Sequence, residues 1–578
     1  MSSGTLWTTN NQHLMNLNNP NLFLTGLFVL FFYNAYPQDL ETIKQQSPFK
    51  IKGSINAKLQ FYDSNKENPN RDPFVWYLQG SPEVSVYGVV LPFSFRISEQ
   101  DRDFTQPFNQ FGVSPYYKWI KAHLGYRSLN WSNFALAGHS FSGAGLELTP
   151  GKFRVGFVSG RLLKPVKYID DPEYTSTQAL AYRRTGSAFI FGYGTEKNYA
   201  NLVILKARDD ANSIDTIPQG YILTPAENLV ISLSTKQEFA KNFLFDLEIA
   251  QSLYTKDTRT ALSDSTSDFM GKTFSFLMKN RASSSSHNAI QTSVGYQSDL
   301  FALKLKYQRI EPDFSSMGAY YFLTDISSIT IEPSVKLLKK KLSLGGSFGT
   351  QVDNLENDKN LRTRRTITSA KINYVPVPQF NISAFYSNYG LAQQSGILSI
   401  DTLRASEVAQ ATSQFGLNSS YALSNEKWSH NVMVSFNGQK LNDRNPNTSE
   451  NSEFSTIILT SGYYATYMPW NLNGSLSYMY TNLTQDTLQT VVAGPAVSIG
   501  KSLLKNKMNV SITYSTMTNK VSHETTNVIS NLSMQLMYKP VKNHRFALRY
   551  YHNINDGKNS FYSSYYENKL DVDYTYTF

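Results

Sequence analysis

One short segment carries residue types that can do nucleophilic chemistry. It reads Gly138-His139-Ser140-Phe141-Ser142-Gly143, close to the Gly-x-Ser-x-Gly turn that exposes a reactive Ser hydroxyl between a strand and a helix. Ser142, however, stands where that turn has its last Gly, and no alternation of strand and helix patterns surrounds the segment. A loop between strands, built from Gly and Ser, explains the segment better. We therefore assign no catalytic residue, and a hydrolase acting through Ser140 is a remote alternative.

The side chains that bind metals are scattered along the chain. From His123 onward no two His residues stand at i, i+2 or i, i+4. A loop rich in oxygen ligands, formed by Asp63, Asn65, Asn68, Asn70 and Asp72, is a candidate for Ca²⁺. Its spacing follows no standard calcium loop, and Asn/Asp-rich turns are common without metal. The sequence predicts no metal site and no cofactor.

The elements that must position these residues are strands. In the C-terminal half, apolar and polar residues alternate with a period of two, which places them on opposite faces of a strand. The apolar members of four such segments are Phe380, Ile382, Ala384 and Tyr386; Leu472, Leu476, Tyr478 and Tyr480; Met508, Val510, Ile512 and Tyr514; and Phe546, Leu548 and Tyr550. The N-terminal half predicts strands at Phe49–Phe61, Val84–Ile97, Tyr116–Tyr126, Phe153–Leu163, Ala181–Tyr193, Ala200–Ala207 and Phe243–Ala250.

Short and long connections alternate between these strands. Tight turns are predicted near Ser298, Lys339, Val377, Asn425, Pro469, Leu504 and Val541, and longer polar loops at Asp353–Asn360, Ser395–Ala405, Leu441–Glu453 and Asn553–Ser560. A repeating unit of strand, loop, strand and turn is typical of a membrane barrel with short periplasmic turns and longer extracellular loops. The predicted fold is all-β, a single antiparallel transmembrane β-barrel of about 22–26 strands.

The last ten residues carry the most specific signal. Leu570, Val572, Tyr574, Tyr576 and Phe578 alternate without exception with polar residues, and the sequence ends on an aromatic residue. This pattern resembles the C-terminal assembly signal of Gram-negative outer-membrane β-barrel proteins. The resemblance implies that the closing strand faces lipid with these five residues and is recognised by the barrel-assembly machinery. The implied localisation is the cell outer membrane.

Composition agrees with this class. Aromatic residues make up 14%, charged residues 17% and Cys is absent; Tyr and Phe favour strands and membrane boundaries. The mean hydropathy of −0.35 does not contradict a barrel, because only one face of each strand is apolar. The net charge of +10 comes from dispersed residues, so no nucleic-acid surface is predicted. The nearest cluster, Lys336–Lys341, is interpreted as a solvated turn.

The N-terminal segment is interpreted as a secretory signal. Leu22–Tyr33 is apolar but too short to span a bilayer as a helix, and it fits a signal h-region followed by cleavage after Ala35 or near Gln38. No Lys or Arg precedes Leu22, so Met15 is an alternative start. We predict a signal peptide at 1–38 and a barrel at 39–578 with no separate plug domain. The lumen is then open, or is filled by inward-folded loops.

Two further motifs carry resemblances. The segment from Phe108 to Ile120, rich in aromatic and amide residues, resembles segments of large, functionally unassigned outer-membrane proteins of Bacteroidota. By residue type alone, its Tyr116, Tyr117 and Trp119 suit the ring of aromatic side chains at the membrane–water interface. Asp215-Thr216-Ile217, Asp401-Thr402-Leu403 and Asp486-Thr487-Leu488 are similar to the Bacteroidota O-glycosylation acceptor motif, for which an ordinary turn is the alternative.

The function predicted first is a non-enzymatic channel or transport protein for polar solutes. The alternative is a structural or accessory subunit of an outer-membrane protein assembly, with the outer loops as docking surface. By alternation Arg549, Lys569, Asp571 and Asp573 are lumen-facing candidates. If similar cations recur around an open lumen, the channel favours anions; equally, much of the charge lies in turns. Predicted partners are outer-membrane lipid, the assembly machinery and possible outer-membrane proteins.

Overall fold

The computed structural model describes residues 48–69, 71–99, 109–168, 180–263, 272–319, 322–395, 409–443, 449–559 and 562–578. The signal-peptide prediction lies outside them. Within these ranges, 26 antiparallel strands form one sheet. The first thirteen are β1 (Phe49–Lys52 with Ser54–Ser64), β2 (Phe74–Gly80 with Glu83–Val86), β3 (Val89–Ser98), β4 (Gln110–Val113 with Tyr116–Tyr117), β5 (Ile120–Asn130), β6 (Ala137–Leu148), β7 (Phe153–Leu163), β8 (Arg183–Gly194), β9 (Tyr199–Asp210), β10 (Glu227–Phe239), β11 (Phe243–Thr255), β12 (Ser284–Gln297) and β13 (Phe301–Ile310). The remainder are β14 (Ile326–Leu337), β15 (Leu342–Asp353), β16 (Leu361–Val377), β17 (Phe380–Ser395), β18 (Ala409–Ser424), β19 (Trp428–Asp443), β20 (Phe454–Tyr467), β21 (Leu472–Gln485), β22 (Leu488–Leu503), β23 (Met508–Val521), β24 (Glu524–Tyr538), β25 (His544–Gly557) and β26 (Tyr565–Thr577).

The sheet closes on itself between its first and last strands. β1 pairs with β26 from Ser54 opposite Thr577 to Ser64 opposite Glu567. The N–H of Phe578 also donates to the carbonyl oxygen of Gly53 at 2.9 Å. Closure leaves no unpaired strand edge, which is what a sheet needs to remain in hydrocarbon. The predicted all-β, closed barrel is confirmed, at the upper end of the predicted strand number.

The connections are short at one end of the barrel and mostly long at the other. All seven predicted tight turns lie between consecutive strands at the end that also holds Phe578. At the opposite end the prediction of long loops fails twice. Asp486-Thr487 joins β21 to β22, and Ser522-His523 joins β23 to β24, each as a two-residue turn. Ser522 and His523 both adopt positive φ, the geometry that matches the twist of a hairpin.

Two predicted N-terminal strands are in fact hairpins. Val84–Ile97 is divided by a turn at Tyr87 and Gly88, where φ is 46° and 84°, and Tyr116–Tyr126 is divided by a turn at Lys118, where φ is 51°. Apolar residues continue through both turns, so hydrophobic alternation alone did not mark the reversal of the chain. The physical reason is that a two-residue turn needs positive φ rather than a polar composition.

The outward face of the barrel is apolar. Exposed large hydrophobic side chains recur on almost every strand, for example Phe157, Leu233, Val434, Leu476 and Ile512. Near the short-turn end, aromatic rings of neighbouring strands contact one another, as in Phe153 with Tyr193 at 5.0 Å and Phe546 with Tyr574 at 4.9 Å between centroids. An apolar belt bounded by aromatic side chains is the exterior of a transmembrane barrel. This closed 26-strand architecture locates the protein in the outer membrane.

In the described ranges, the structure holds no helix long and apolar enough to cross a membrane.

Candidate functional site: the barrel lumen

Part of the lumen is filled by two inward-folded loops. The loop between β5 and β6 contributes residues 131–136, and the loop between β13 and β14 contributes residues 314–319. We call these two segments the lumen plug. Trp131 reaches the middle of β7, because a side-chain carbon added to Gly156 would lie 3.0 Å from its indole ring. The plug therefore lies inside the barrel rather than across its mouth.

The plug is held by an apolar core. Phe134, only 1% exposed, packs edge-on against Phe314 and Phe322, with ring centroids 5.9 Å apart in both pairs. The wall side of this core includes these buried residues from β7 to β14: Val158, Leu162, Ala188, Ile190, Val203, Leu205, Ala207, Val230, Ala250, Ala289, Ile310 and Ile326. These wall residues are apolar on the inner face, where a water-filled barrel has polar residues. The inner face of these strands is thus specialised for packing against the loops.

Hydrogen bonds join the two loops to each other and to β10. Ser316 donates to the carbonyl oxygen of Ala135 at 3.0 Å, and the N–H of Ala137 donates to Gly318 at 3.1 Å. Asn228 of β10, which is fully buried, accepts from the N–H of Met317 and donates to Ser315. Because these backbone groups lie away from bulk water, each bond satisfies a group that is costly to leave unpaired. The loops form one unit.

A buried carboxylate fixes the tip of the first loop. Glu248 lies in the middle of β11 and is 5% exposed. Its oxygens accept hydrogen bonds from Ser132 at 2.5 Å, Asn133 at 2.7 Å and Ser232 at 3.0 Å. Bonds to an ionised acceptor contribute about 1.5–3 kcal/mol each. Glu248 is therefore the main polar attachment of the plug to the wall.

A cavity of about 640 Å³ lies against the plug, toward the short-turn end. Its lining combines Trp131 and Asn133 of the plug with Arg154, Asp246 and Glu248 of the wall. The indole nitrogen of Trp131 is buried there without a hydrogen-bond partner. The cavity is therefore lined by polar side chains that include both basic and acidic residues.

The pairing of residues between neighbouring strands shows which face of each later strand points into the lumen. Cross-strand partners share a face of a sheet, and the plug-contacting Ile310 pairs with Ile326, which pairs with Asp353. From β15 onward the same reasoning assigns one face of each strand to the lumen. On β16 this face holds Arg365 and not Arg364, because Arg365 pairs with Gln351.

The lumen wall of β17 to β24 is neutral and hydrated. Its residues are mainly small hydroxyls and amides, among them Ser387, Gln414, Ser435, Thr460, Ser475 and Ser511. In the described part of these strands the charged residues on this face are Asp443 and Glu524, both at the long-loop end, and none lies along the middle of the wall. Tyr389 and Tyr464 point to the same side yet are 43% and 40% exposed, and the apolar core takes no described residue from β15 to β26. The plug leaves this part of the lumen to water.

The four charged residues singled out in the sequence lie together on one face of β25 and β26. Arg549 bonds Asp573 at 2.8 Å, and Lys569 approaches Asp571 at 3.2 Å. Lys58 of β1 also reaches Asp571, at 3.3 Å, and Asp571 is 3% exposed. The sequence did not indicate the contact of Lys58 across the closing seam, with which the cations of this cluster exceed its carboxylates by a single charge. Their net electrostatic effect on a solute is correspondingly small.

The five alternating residues of the C-terminal signal share the opposite face of β26. Leu570, Val572 and Tyr574 pair with Phe61, Leu59 and Ala57 of β1. His544 of β25 contacts Tyr576, with ring centroids 4.9 Å apart, and Tyr576 contacts Phe578. The last strand of the barrel thus ends in an aromatic cluster beside the seam.

The Ser140 segment is part of β6, so the interpretation as a loop between strands was wrong, and the segment is not a strand-to-helix turn either. Ser140 pairs with Ser128 inside the β5–β6 ladder. His139 and Ser140 are consecutive in an extended strand, so their side chains leave opposite faces. His139 therefore cannot serve as a base for Ser140, and the hydrolase alternative loses its geometric basis.

The oxygen-rich loop is used for structure. The carboxylate of Asp63 accepts from Asn568 at 3.2 Å, and Asn65 accepts from the N–H of Tyr566 at 2.7 Å. Asn70 lies outside the described residues. Among the residues that are described, no group of three or more His, Asp or Glu could hold a metal ion. The loop instead connects β1 to β26 above the seam.

The remaining motifs lie in turns and loops. Tyr116 and Tyr117 form the end of β4, and Trp119 follows in the short turn to β5. Asp215 forms an ion pair with Lys167 at 2.7 Å, and Asp486-Thr487 is the tight turn described above. Asp401-Thr402-Leu403 lies outside the described residues. Lys339 and Lys340 occupy the β14–β15 turn with positive φ, and Lys340 approaches Asp299.

A carboxylate outside the membrane ties the second plug loop to its neighbour. Asp325, at the end of the β13–β14 loop, accepts from the N–H groups of Asn354 and Leu355 at 3.1 and 2.8 Å and forms an ion pair with Lys359. Burial by itself raises the pKa of Asp325, but the Leu355 N–H and the Lys359 ammonium outweigh it, so the pKa lies below its ordinary value. The same contact raises the pKa of Lys359.

Comparison with known proteins gives only distant structural likeness. No family model and no curated protein matches the chain. Similar solved structures include OccAB2 of Acinetobacter baumannii (TM-score 0.30, 11% identity, 68% of this chain and 98% of that one). OpdK of Pseudomonas aeruginosa with vanillate has a TM-score of 0.30 and 11% identity over 61% of this chain and 93% of that one. OprD of P. aeruginosa has a TM-score of 0.29 and 10% identity over 61% and 90%. The functional argument therefore rests on the lumen of this barrel.

Proposed function

We propose that the protein is a non-enzymatic outer-membrane channel for polar solutes. The observation that carries the proposal is the lumen wall of β17 to β24, which is uncharged except for Asp443 and Glu524 at its long-loop end, rich in hydroxyl and amide groups and open to water. Such a wall replaces part of the hydration of a polar solute without binding it through charge. The lumen plug closes the other side and narrows the path.

The charge distribution supports weak selectivity for anions. Arg365 and Lys371 border this wall on the lumen face of β16, and neither forms an ion pair within the described part of the chain. The pairs around Asp571 largely cancel. Charged groups at the edge of a pore concentrate counter-ions, but a neutral wall weakens that effect. The net charge of +10 thus overstates the field inside the lumen.

Conductance in planar bilayers tests the proposal. The purified barrel should conduct, with a reversal potential under a salt gradient that shows a small anion preference. The double variant Ser475→Asp with Ser511→Asp should shift selectivity toward cations, whereas Thr487→Asp with Ser563→Asp, in outer connections, should leave it nearly unchanged. A barrel that inserts but does not conduct would contradict the proposal.

The alternative, a structural or accessory subunit of an outer-membrane assembly, has no observation of its own in its favour. A silent barrel that co-purifies with other outer-membrane proteins would support it. Assembly by the barrel-assembly machinery, export through a signal at 1–38 and kinship with the unassigned Bacteroidota proteins belong to the same proposal. The C-terminal alternation supports recognition by the assembly machinery, and the apolar segment Leu22–Tyr33 supports export. The Phe108–Ile120 segment supports the kinship.

A further inference from the structure

Three cations on the outward face of the barrel form no ion pair with any residue that the structure describes. Arg362 and Arg364 alternate with Thr363 and Arg365 along β16, and Arg364 pairs with Val352 and Ala392. That register puts both Arg side chains on the lipid-facing side. Lys440 of β19 shares this side, because it alternates with Val434 and Phe436 and pairs with Ser413. All three are exposed. We call them the outer cationic patch.

The patch lies just beyond the hydrocarbon. Each member is within four residues of the long-loop end of its strand. β16 has 17 residues and β19 has 16, whereas about 9–11 residues suffice to cross the membrane. Below the patch the same face carries Ile372, Val434 and Phe415, the exposed apolar belt. Both strands therefore project beyond the hydrocarbon layer, and the three cations lie at the level of the outer-leaflet headgroups.

Among the described residues, no acidic group forms an ion pair with this patch. In β16 to β19, as far as the structure describes them, the outward face contains no Asp or Glu, and no ion pair involves Arg362, Arg364 or Lys440. Two other outward cations near this rim are paired: Lys206 approaches Glu227 at 3.5 Å, and Arg183 bonds Asp210. Two Arg residues two positions apart on a strand are about 7 Å from each other, and guanidinium groups bind phosphate in a bidentate manner.

Polar groups fill the surface between the cations. Asn388 donates to Ser413 at 2.7 Å on the outward face, and Thr366 lies beside Arg364 on β16. Amides and hydroxyls next to cations suit a ligand that carries sugar hydroxyls as well as phosphate. We propose that the outer cationic patch binds the phosphorylated saccharide headgroup of an outer-leaflet glycolipid. This site is separate from the lumen and does not depend on the channel proposal.

Binding of diphosphoryl lipid A by the purified full-length barrel in detergent, measured by native mass spectrometry, tests the site. The triple variant Arg362→Gln, Arg364→Gln, Lys440→Gln should lose at least tenfold in affinity. The matched control Lys304→Gln, Arg365→Gln, Lys371→Gln removes the same charge from the lumen face and should lose less than twofold. Dephosphorylated lipid A should not distinguish the patch variant from the wild type.

Equal affinity of wild type and patch variant, or an equal loss in the lumen control, would overturn the proposal. Phosphatidylglycerol that binds the wild type as tightly as lipid A would overturn the glycolipid assignment. If the triple variant fails to give a heat-modifiable barrel, R364Q and K440Q are measured singly under the same criteria, with an expected loss of at least threefold each.

Discussion

The lumen has two halves that use the same β-strand alternation for opposite purposes. From β7 to β14 the inner face is apolar and buries the plug, so that Phe134 is 1% exposed. From β17 to β24 the inner face is hydroxyl- and amide-rich, and Tyr464 keeps 40% of its surface exposed. The difference shows that a barrel of this width need not be filled or open throughout. It can carry a packed core on one side and water on the other.

The seam between β1 and β26 joins the two halves, and its loss should have the largest effect. Deletion of Phe578, or replacement of Tyr576 and Phe578 by Ser, disrupts the aromatic cluster at the end of the apolar face of the closing strand. We expect a several-fold lower folded fraction in the outer membrane, because closure pairs the last open edge. Heat-modifiable mobility on gels measures it, and normal yield would refute the role of this strand.

Truncation of an aromatic side chain should lower the free energy of unfolding much more in the plugged half of the lumen than in the open half. Phe134→Ala removes a fully buried ring and should lower the free energy of unfolding by about 3–5 kcal/mol. Tyr464→Ala, on the open wall, should cost less than about 1 kcal/mol, because its ring is already in contact with water. Denaturant unfolding in lipid vesicles gives both values. Similar losses at the two positions would mean that the second half is also packed.

Arg substitutions test which face of the open half meets lipid. Ile512→Arg and Leu476→Arg should cost about 2–4 kcal/mol if these positions lie near the bilayer midplane. Ser511→Arg and Ser477→Arg, adjacent in sequence, should cost much less, because the structure assigns them to the hydrated lumen. Vesicle unfolding experiments compare each pair. Equal losses within pairs would contradict the register on which the channel proposal depends.

The smallest effect is expected from acid at the loop that carries the plug. The folded-state pKa of Asp325 lies below its ordinary value, so its contribution is present above the unfolded pKa and is lost as pH falls through the folded pKa. Limited proteolysis of the β13–β14 loop should therefore accelerate at low pH in the wild type. Asp325→Asn should show faster cleavage already at neutral pH and little further change. A pH-independent wild type would exclude this role.

The sequence determined the fold class, the C-terminal half and the orientation of its faces. Alternation over long strands such as β23 is local information, and one face of each strand meets a uniform solvent, lipid. The tight turns near Ser298 and Leu504 followed from the same pattern, because they interrupt it. The hairpins at Tyr87 and Lys118 did not interrupt it, and only the backbone geometry shows them.

Tertiary structure alone decided what fills the lumen. Trp131, Phe134, Phe314 and Met317 occur in short loops whose composition does not show whether they fold inward. Their place depends on Glu248 and on inner-face residues of eight strands that the closed barrel brings together. In the same way, Arg549 and Asp571 predicted a charged face, but the ion pair of Asp571 with Lys58 joins the two ends of the sequence and could not be read from either end alone. Contacts between segments that are distant in the sequence determine which side chains are buried and which charges are paired. The local alternation of apolar and polar residues does not contain this information.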